Sequence, residues 1–87
     1  MKNKKEEILK MIQPVFCKVF NNKNLKINYN SSPVTINKWD SLAQIHLIIS
    51  IERLLKIKFS VSDLASIKNV GEMIDVIITK KNGESVS

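Results

Sequence analysis

Ser41, in the stretch Trp39-Asp40-Ser41-Leu42, is the side chain best placed for chemistry among these 87 residues. It stands at the mouth of a helix expected from Ser41 to Lys56. A hydroxyl there serves in one of two ways: it caps the helix, or it receives a covalently attached group. With Gln44 three residues on, Asp40-Ser41 spells an N-cap with a capping box, and taken alone that is the commoner use. No catalytic apparatus surrounds the serine. His46 is the single histidine, so no triad or metal cluster can be assembled. Cys17 is a single cysteine, which excludes a disulfide framework and a Cys-based metal site. It reads as a small, half-buried apolar residue of the first helix, and its lone thiol fits a reducing cytoplasm. Gly71 and Gly83 are too isolated to cradle phosphates.

A chain of this length makes one domain, residues 1–87, with a modest core and no room for a cleft between two lobes, which argues against an enzyme. The composition, 44% hydrophobic and 25% charged with two Gly and two Pro, is that of a helix-rich globule rather than a disordered tail. The formal charge of +6 is unevenly placed. Residues 1–26 hold seven Lys against two Glu, whereas residues 41–87 hold six basic and five acidic side chains. The serine-bearing half is therefore close to neutral. Thirteen of the fourteen basic residues are Lys, a weaker choice than Arg for reading phosphates or base edges, so specific nucleic-acid recognition is not expected. No apolar run approaches signal-peptide or membrane-spanning length.

The elements that must position the serine follow from periodicity. Ile8, Leu9, Ile12, Val15, Phe16, Val19 and Phe20 mark an amphipathic helix over about Lys4 to Phe20, with a kink or break expected at Pro14. The Asn/Ser/Lys-rich stretch 21–40 carries Leu25, Ile27, Tyr29, Val34, Ile36 and Trp39, and reads as a long loop packed against the core. A turn at Ser60 to Asp63 leads into a short helix through Ile67. Asn69 caps a last helix whose Val70, Met73, Ile74, Ile77 and Ile78 recur at helical spacing, with Lys80, Lys81 and then Gly83 as its expected end. The fold class is all-α: a small four-helix bundle of three longer helices and one short one, ordered over about 4–80, with 1–3 and 84–87 frayed.

The second helix carries two stripes. At about 100° per residue, Leu47, Ile48, Ile51, Leu54 and Leu55 share an arc of roughly 120° facing the core. Leu42, Ile45 and Ile49 form another on nearly the opposite side, bordered by His46, Glu52, Arg53 and Lys56. A helix buried on one face needs one stripe, so the second calls for a partner. The helix N-terminus also suits a phosphate ester, because its free N–H groups and dipole favour negative charge.

These residues resemble the acyl carrier proteins. Asp40-Ser41-Leu42 matches the family's attachment motif, and Leu47, Ile51, Glu52 and Leu55, then Ile67, Val70, Ile74 and Ile77, fall without a gap at positions the family fills with similar residues. The likeness covers nearly the whole chain. It implies a non-catalytic carrier in which Ser41, flanked by Asp40 and Leu42, holds 4′-phosphopantetheine whose thiol carries an acyl thioester. The implied partners are a phosphopantetheinyl transferase, an acyl-loading ligase, and acyltransferase or synthase enzymes, met by a monomer through Leu42, Ile45, His46, Ile49, Glu52, Arg53 and Lys56.

The chain departs from the family in charge. Members are typically acidic along the second helix. Here position 43 is Ala, His46 stands where an acid is usual, and Arg53, Lys56 and Lys58 are basic. Such a surface selects acidic or neutral partners and points to a specialised biosynthetic pathway. Three alternatives stay open on sequence alone. An aminoacyl or peptidyl carrier shares the serine and helix order. A basic nucleic-acid module would use the Lys-rich first helix but lacks clustered Arg, Asn or Gln. A structural adaptor would use the second stripe and have no need of Ser41.

Overall fold

In the computed structural model, which describes residues 4–86 with side chains through residue 81, the order is α1 (Lys4–Val19), α2 (Ser41–Leu55), α3 (Val61–Ser66) and α4 (Val70–Val86). Residues 1–3 and 87 of the expected frayed ends lie outside the described residues. The all-helical expectation holds, with the loop 20–40 joining α1 to α2. α1 packs against both α2 and α4 and so sits at the centre of the bundle.

Ile8, Ile12 and Phe16, spaced by four, are the buried line of α1. They meet Leu47, Ile48, Ile51 and Leu55 of α2 and Val70, Met73, Ile74 and Ile77 of α4. Each such side chain removed from water contributes about 1.5–3 kcal/mol. That magnitude explains why α1 runs through Pro14 without the expected break. One missing backbone bond and a ring clash cost about 3 kcal/mol, whereas Ile12 and Phe16, on either side of the proline, are both fully buried. The packing wins, and Pro14 lies on the solvent side.

Two further expectations are corrected. Leu54 is 48% exposed, because it lies at the edge of the arc, and the buried face is centred nearer Ile51 and Leu55. α4 does not stop at Gly83 but continues to Val86. A glycine inside a helix costs only about 1 kcal/mol against Ala, and it commonly ends one by entering the left-handed region, which no glycine among the described residues does. Lys80 and Lys81 reach to other helices. Lys80 pairs with Asp63 of α3 at 2.6 Å, and Lys81 Nζ donates to the Leu55 carbonyl at the end of α2 at 3.2 Å.

The loop is packed as its apolar content required: Ile27, Ile36 and Trp39 are buried and Leu25 half-buried. Tyr29 and Val34 are not, and Val34 is 93% exposed at the corner of a turn closed by the Thr35 and Ile36 amides on the Ser32 carbonyl. Polar links pin the loop at both ends. Gln13 Oε1 accepts from the Ile27 amide at 2.9 Å while its Nε2 donates to the Leu25 carbonyl. At the other end, the Val70 and Gly71 amides donate to the Ser31 and Tyr29 carbonyls at 2.8 Å each, which satisfies donors that the start of α4 would otherwise leave orphaned. Asn69 caps that helix as expected, its Oδ1 accepting from the Glu72 amide at 2.8 Å.

Candidate functional site

The site is built where the loop meets α2. Trp39 is anchored against Phe16 and Phe20, with ring centroids 5.3 and 6.3 Å away and edge-on geometry. Its Nε1 donates to Gln44 Oε1 at 2.7 Å. Lys38, with φ of 74°, turns the chain just before the indole. Asp40 then adopts extended backbone and caps α2, its Oδ1 accepting from the Ala43 amide at 2.9 Å.

This corrects the expected capping box. Ser41 is not the cap but the first helical residue, and Gln44 is committed to Trp39. With Asp40 in the capping role, the Ser41 hydroxyl is exposed and has no hydrogen-bond partner among the described residues. The amides of Ser41 and Leu42 precede the helical ladder and have no carbonyl within it to bind. A free hydroxyl therefore stands beside unsatisfied N–H groups at the positive end of a helix.

An open groove of about 530 Å³ begins at the serine. Trp39, Asp40, Ser41, Gln44 and Ile45 form one wall, and Leu64 and Ile67 of the α3 region form the other, with Pro33 from the loop. The α3 wall is the part of the site that sequence reasoning missed. Its only signal was the spacing Ser60-x-x-Asp63, which forms a full capping box here: the Asp63 amide donates to Ser60 Oγ at 3.1 Å and the Ser60 amide to Asp63 Oδ2 at 2.8 Å.

The second stripe is where the periodicity put it. Leu42, Ile45 and Ile49 are 61%, 53% and 42% exposed, while Leu47, Ile48 and Ile51 of the same helix are buried. His46, Arg53 and Lys56 are exposed beside the stripe. Glu52 is half-buried and partly engaged, since its Oε2 accepts from the Phe59 amide at 2.9 Å and holds the chain after α2. Lys56 ends the helix with φ of 57° and ψ of 49°, its amide donating to the Glu52 carbonyl. Cys17 stands apart, half-buried, with its thiol on the Leu25 carbonyl at 3.2 Å. Among the described residues no group of His, Cys, Asp and Glu could hold a metal ion, and no helix is long and apolar enough to cross a membrane.

A small helical bundle with an exposed serine at the mouth of a long helix, beside an open groove, is the arrangement that a tethering carrier requires. A family model described as the phosphopantetheine attachment site matches residues 39–77, the segment from the anchoring indole to the middle of α4. The holo acyl carrier protein of Geobacter metallireducens, determined by solution NMR, is similar with a TM-score of 0.81 and 34% identity, over 87% of this chain and 87% of that one. No curated protein sequence matches the chain. The chain belongs to the acyl carrier protein family. It is a non-catalytic carrier whose covalent cofactor is 4′-phosphopantetheine, installed by a phosphopantetheinyl transferase. The residues at the mouth of α2 fit that group: a free hydroxyl to esterify, helix N–H groups to meet the phosphodiester, and an apolar groove alongside for the arm to lie on.

Proposed function

We propose that Ser41 takes the phosphopantetheine arm and that the chain presents an acyl thioester to the enzymes of a specialised biosynthetic pathway. In the loading step the Ser41 Oγ–phosphorus bond forms at the phosphate nearer the pantetheine, the P–O bond of the pyrophosphate linkage of coenzyme A breaks, adenosine 3′,5′-bisphosphate leaves with the bridging oxygen, and the hydroxyl proton passes to a base of the transferase. Asp40 supports this by taking the capping role that would otherwise occupy Ser41, and Leu42 gives the transferase an apolar contact one residue away. The observation that carries the reading is the exposed Ser41 hydroxyl, without a hydrogen bond among the described residues, at the first position of α2.

The carrier's contribution is to tether its cargo and so raise its effective concentration at successive active sites. Leu42, Ile45 and Ile49 form the apolar centre of a transient docking surface. Arg53 and Lys56, with His46 beside them, select acidic or neutral partners, and Glu52 keeps the lower edge in shape. The partners of this reading are an acyl-loading ligase and an acyltransferase or synthase, met in the cytoplasm by a monomer. Intact mass after incubation with coenzyme A and a broad-specificity transferase tests it. The expected result is one added arm that is lost in Ser41→Ala; no gain, or a gain that survives the substitution, overturns it.

A further inference from the structure

Another concave surface shares no residue with the groove at Ser41. The C-terminal half of α1 and the loop after it enclose an open groove of about 730 Å³. Its floor is apolar, made of the half-buried Cys17 and Leu25, and its rim carries the exposed Pro14, Lys18, Lys23 and Lys26. All three lysines are exposed, and none is ion-paired among the described residues. A neighbouring hollow shares Asn21, Asn22 and Leu25 with this groove and runs on to Lys38, three residues ahead of Ser41. Lys38 thus adds a fourth exposed lysine to this face of the loop.

The groove is built rather than incidental. Gln13 spans from α1 to the loop with both ends of its amide, on Leu25 and Ile27, and the Cys17 thiol donates to the same Leu25 carbonyl. These links fix the gap between helix and loop and satisfy the backbone there, which leaves the apolar floor as the surface on offer. The charge is not cancelled from within α1. Glu6 and Glu7 occupy its first turn, and at 1.5 Å per residue Glu7 and Lys18 are separated by roughly 16 Å, beyond the screening distance of about 8 Å in physiological salt.

We propose that this groove is a second docking surface, and that its occupant is an acidic protein surface bearing one protruding apolar side chain. Carboxylates meet the lysine rim while the apolar side chain fills the floor. Charge complementarity of this kind sets encounter rate and partner choice. A bilayer is read by several large apolar side chains that protrude, whereas here Pro14 alone of the apolar lining is exposed, and Cys17 and Leu25 are recessed and half-buried. A nucleic acid is read by Arg forks and aromatic platforms, and the groove lining has neither. The proposal needs no arm on Ser41, so it stands or falls separately from the carrier chemistry.

The test uses the full chain, labelled with nitrogen-15, with Ser41→Ala alongside. The probe is a capped peptide of one leucine flanked by glutamates, compared with its leucine-to-serine version, with phosphatidylcholine/phosphatidylserine vesicles and with an oligothymidylate. Amide shifts centred on Cys17, Lys23, Leu25 and Lys26, identical in Ser41→Ala and lost with the serine peptide, are expected. The exposed pair Lys23→Glu and Lys26→Glu should weaken binding about tenfold. Shifts absent, centred instead on Leu42 and Ile49, or unchanged by the charge reversal overturn the proposal. So does saturation of the groove by vesicles or oligothymidylate at concentrations where the peptide does not bind.

Discussion

Trp39 Nε1 donates to Gln44 Oε1 at 2.7 Å, and the backbone gripped between those two side chains is the backbone that carries Ser41. The indole is 6% exposed, so Gln44→Ala leaves its N–H without a partner and should cost about 1–3 kcal/mol. Replacing both partners by apolar groups, as in Trp39→Phe with Gln44→Leu, should recover part of that loss. Urea denaturation followed by far-UV circular dichroism measures both. Equal stability of Gln44→Ala and the parent would show that the bond does not hold the helix mouth.

Gly71 is required by close approach and not by conformation. A Cβ there would lie 2.9 Å from the Tyr29 carbonyl oxygen, a backbone atom that is itself held by the Gly71 amide. Relief means moving the loop off α4 and stretching that bond. Gly71→Ala should therefore destabilise by about 1–3 kcal/mol despite alanine's better helix propensity, and lower Tm by about 4–8 °C per kcal/mol. Calorimetry showing a Tm at or above the parent's would contradict the contact.

What the sequence disclosed and what it concealed divide along one physical line. Helical periodicity located the core of α1, α2 and α4 and the exposed stripe of Leu42, Ile45 and Ile49, because burial repeats along a helix whatever lies beyond it. Competition between partners was concealed. Asp40 and Ser41 are both good caps, and only the extended backbone of Asp40 decides which one caps and frees the other's hydroxyl. Gln44 had two candidate partners, and the buried indole took it. Pro14 and Gly83 carry breaker signals that lose to the packing on either side of one and to the absence of a left-handed turn at the other. Gly71 gave no local signal, since the atom it must avoid lies forty-two positions earlier.

Asp63 should make stability fall in acid. Its carboxyl is held below the ordinary 3.8, first by the hydrogen bond from Lys80 and then by that from the Ser60 amide. A folded-state value below the unfolded one gives stability that is complete above the unfolded pKa and is lost as pH falls through the folded one. The loss should thus begin near pH 4 and deepen below it. Asp63→Asn should remove this component of the pH dependence, and urea midpoints measured from pH 6 to pH 2.5 check it. A parallel decline in parent and variant would assign the acid sensitivity elsewhere.

Lys56 holds a left-handed backbone at the end of α2, with φ of 57°. That conformation costs a side-chain-bearing residue about 1–2 kcal/mol, and glycine escapes it at an unfolded-state entropy cost of about 0.5–1 kcal/mol. Lys56→Gly should therefore stabilise by up to about 1 kcal/mol. A thermal midpoint that fails to rise would mean that the lysine stem contributes packing which the backbone geometry does not reveal.

The docking stripe is tested by two neighbours on the same turn. Ile49 is 42% exposed and Ile48 is 6% exposed, so one register decides what aspartate does at each. Ile48→Asp buries a carboxylate among Phe16, Leu47 and Ile51 of the core cluster, and such a charge has no compensating partner, so the domain should unfold. Ile49→Asp places the charge in solvent, where surface changes usually stay within about 0.5 kcal/mol. It should leave the urea midpoint in place while lowering kcat/KM for arm transfer about tenfold, the loss expected when one apolar anchor of a small interface is replaced by a charge. A normal transfer rate with Ile49→Asp in a folded domain would move the docking surface away from this stripe. A loss of rate accompanied by a loss of stability would show that the side chain belongs to the core.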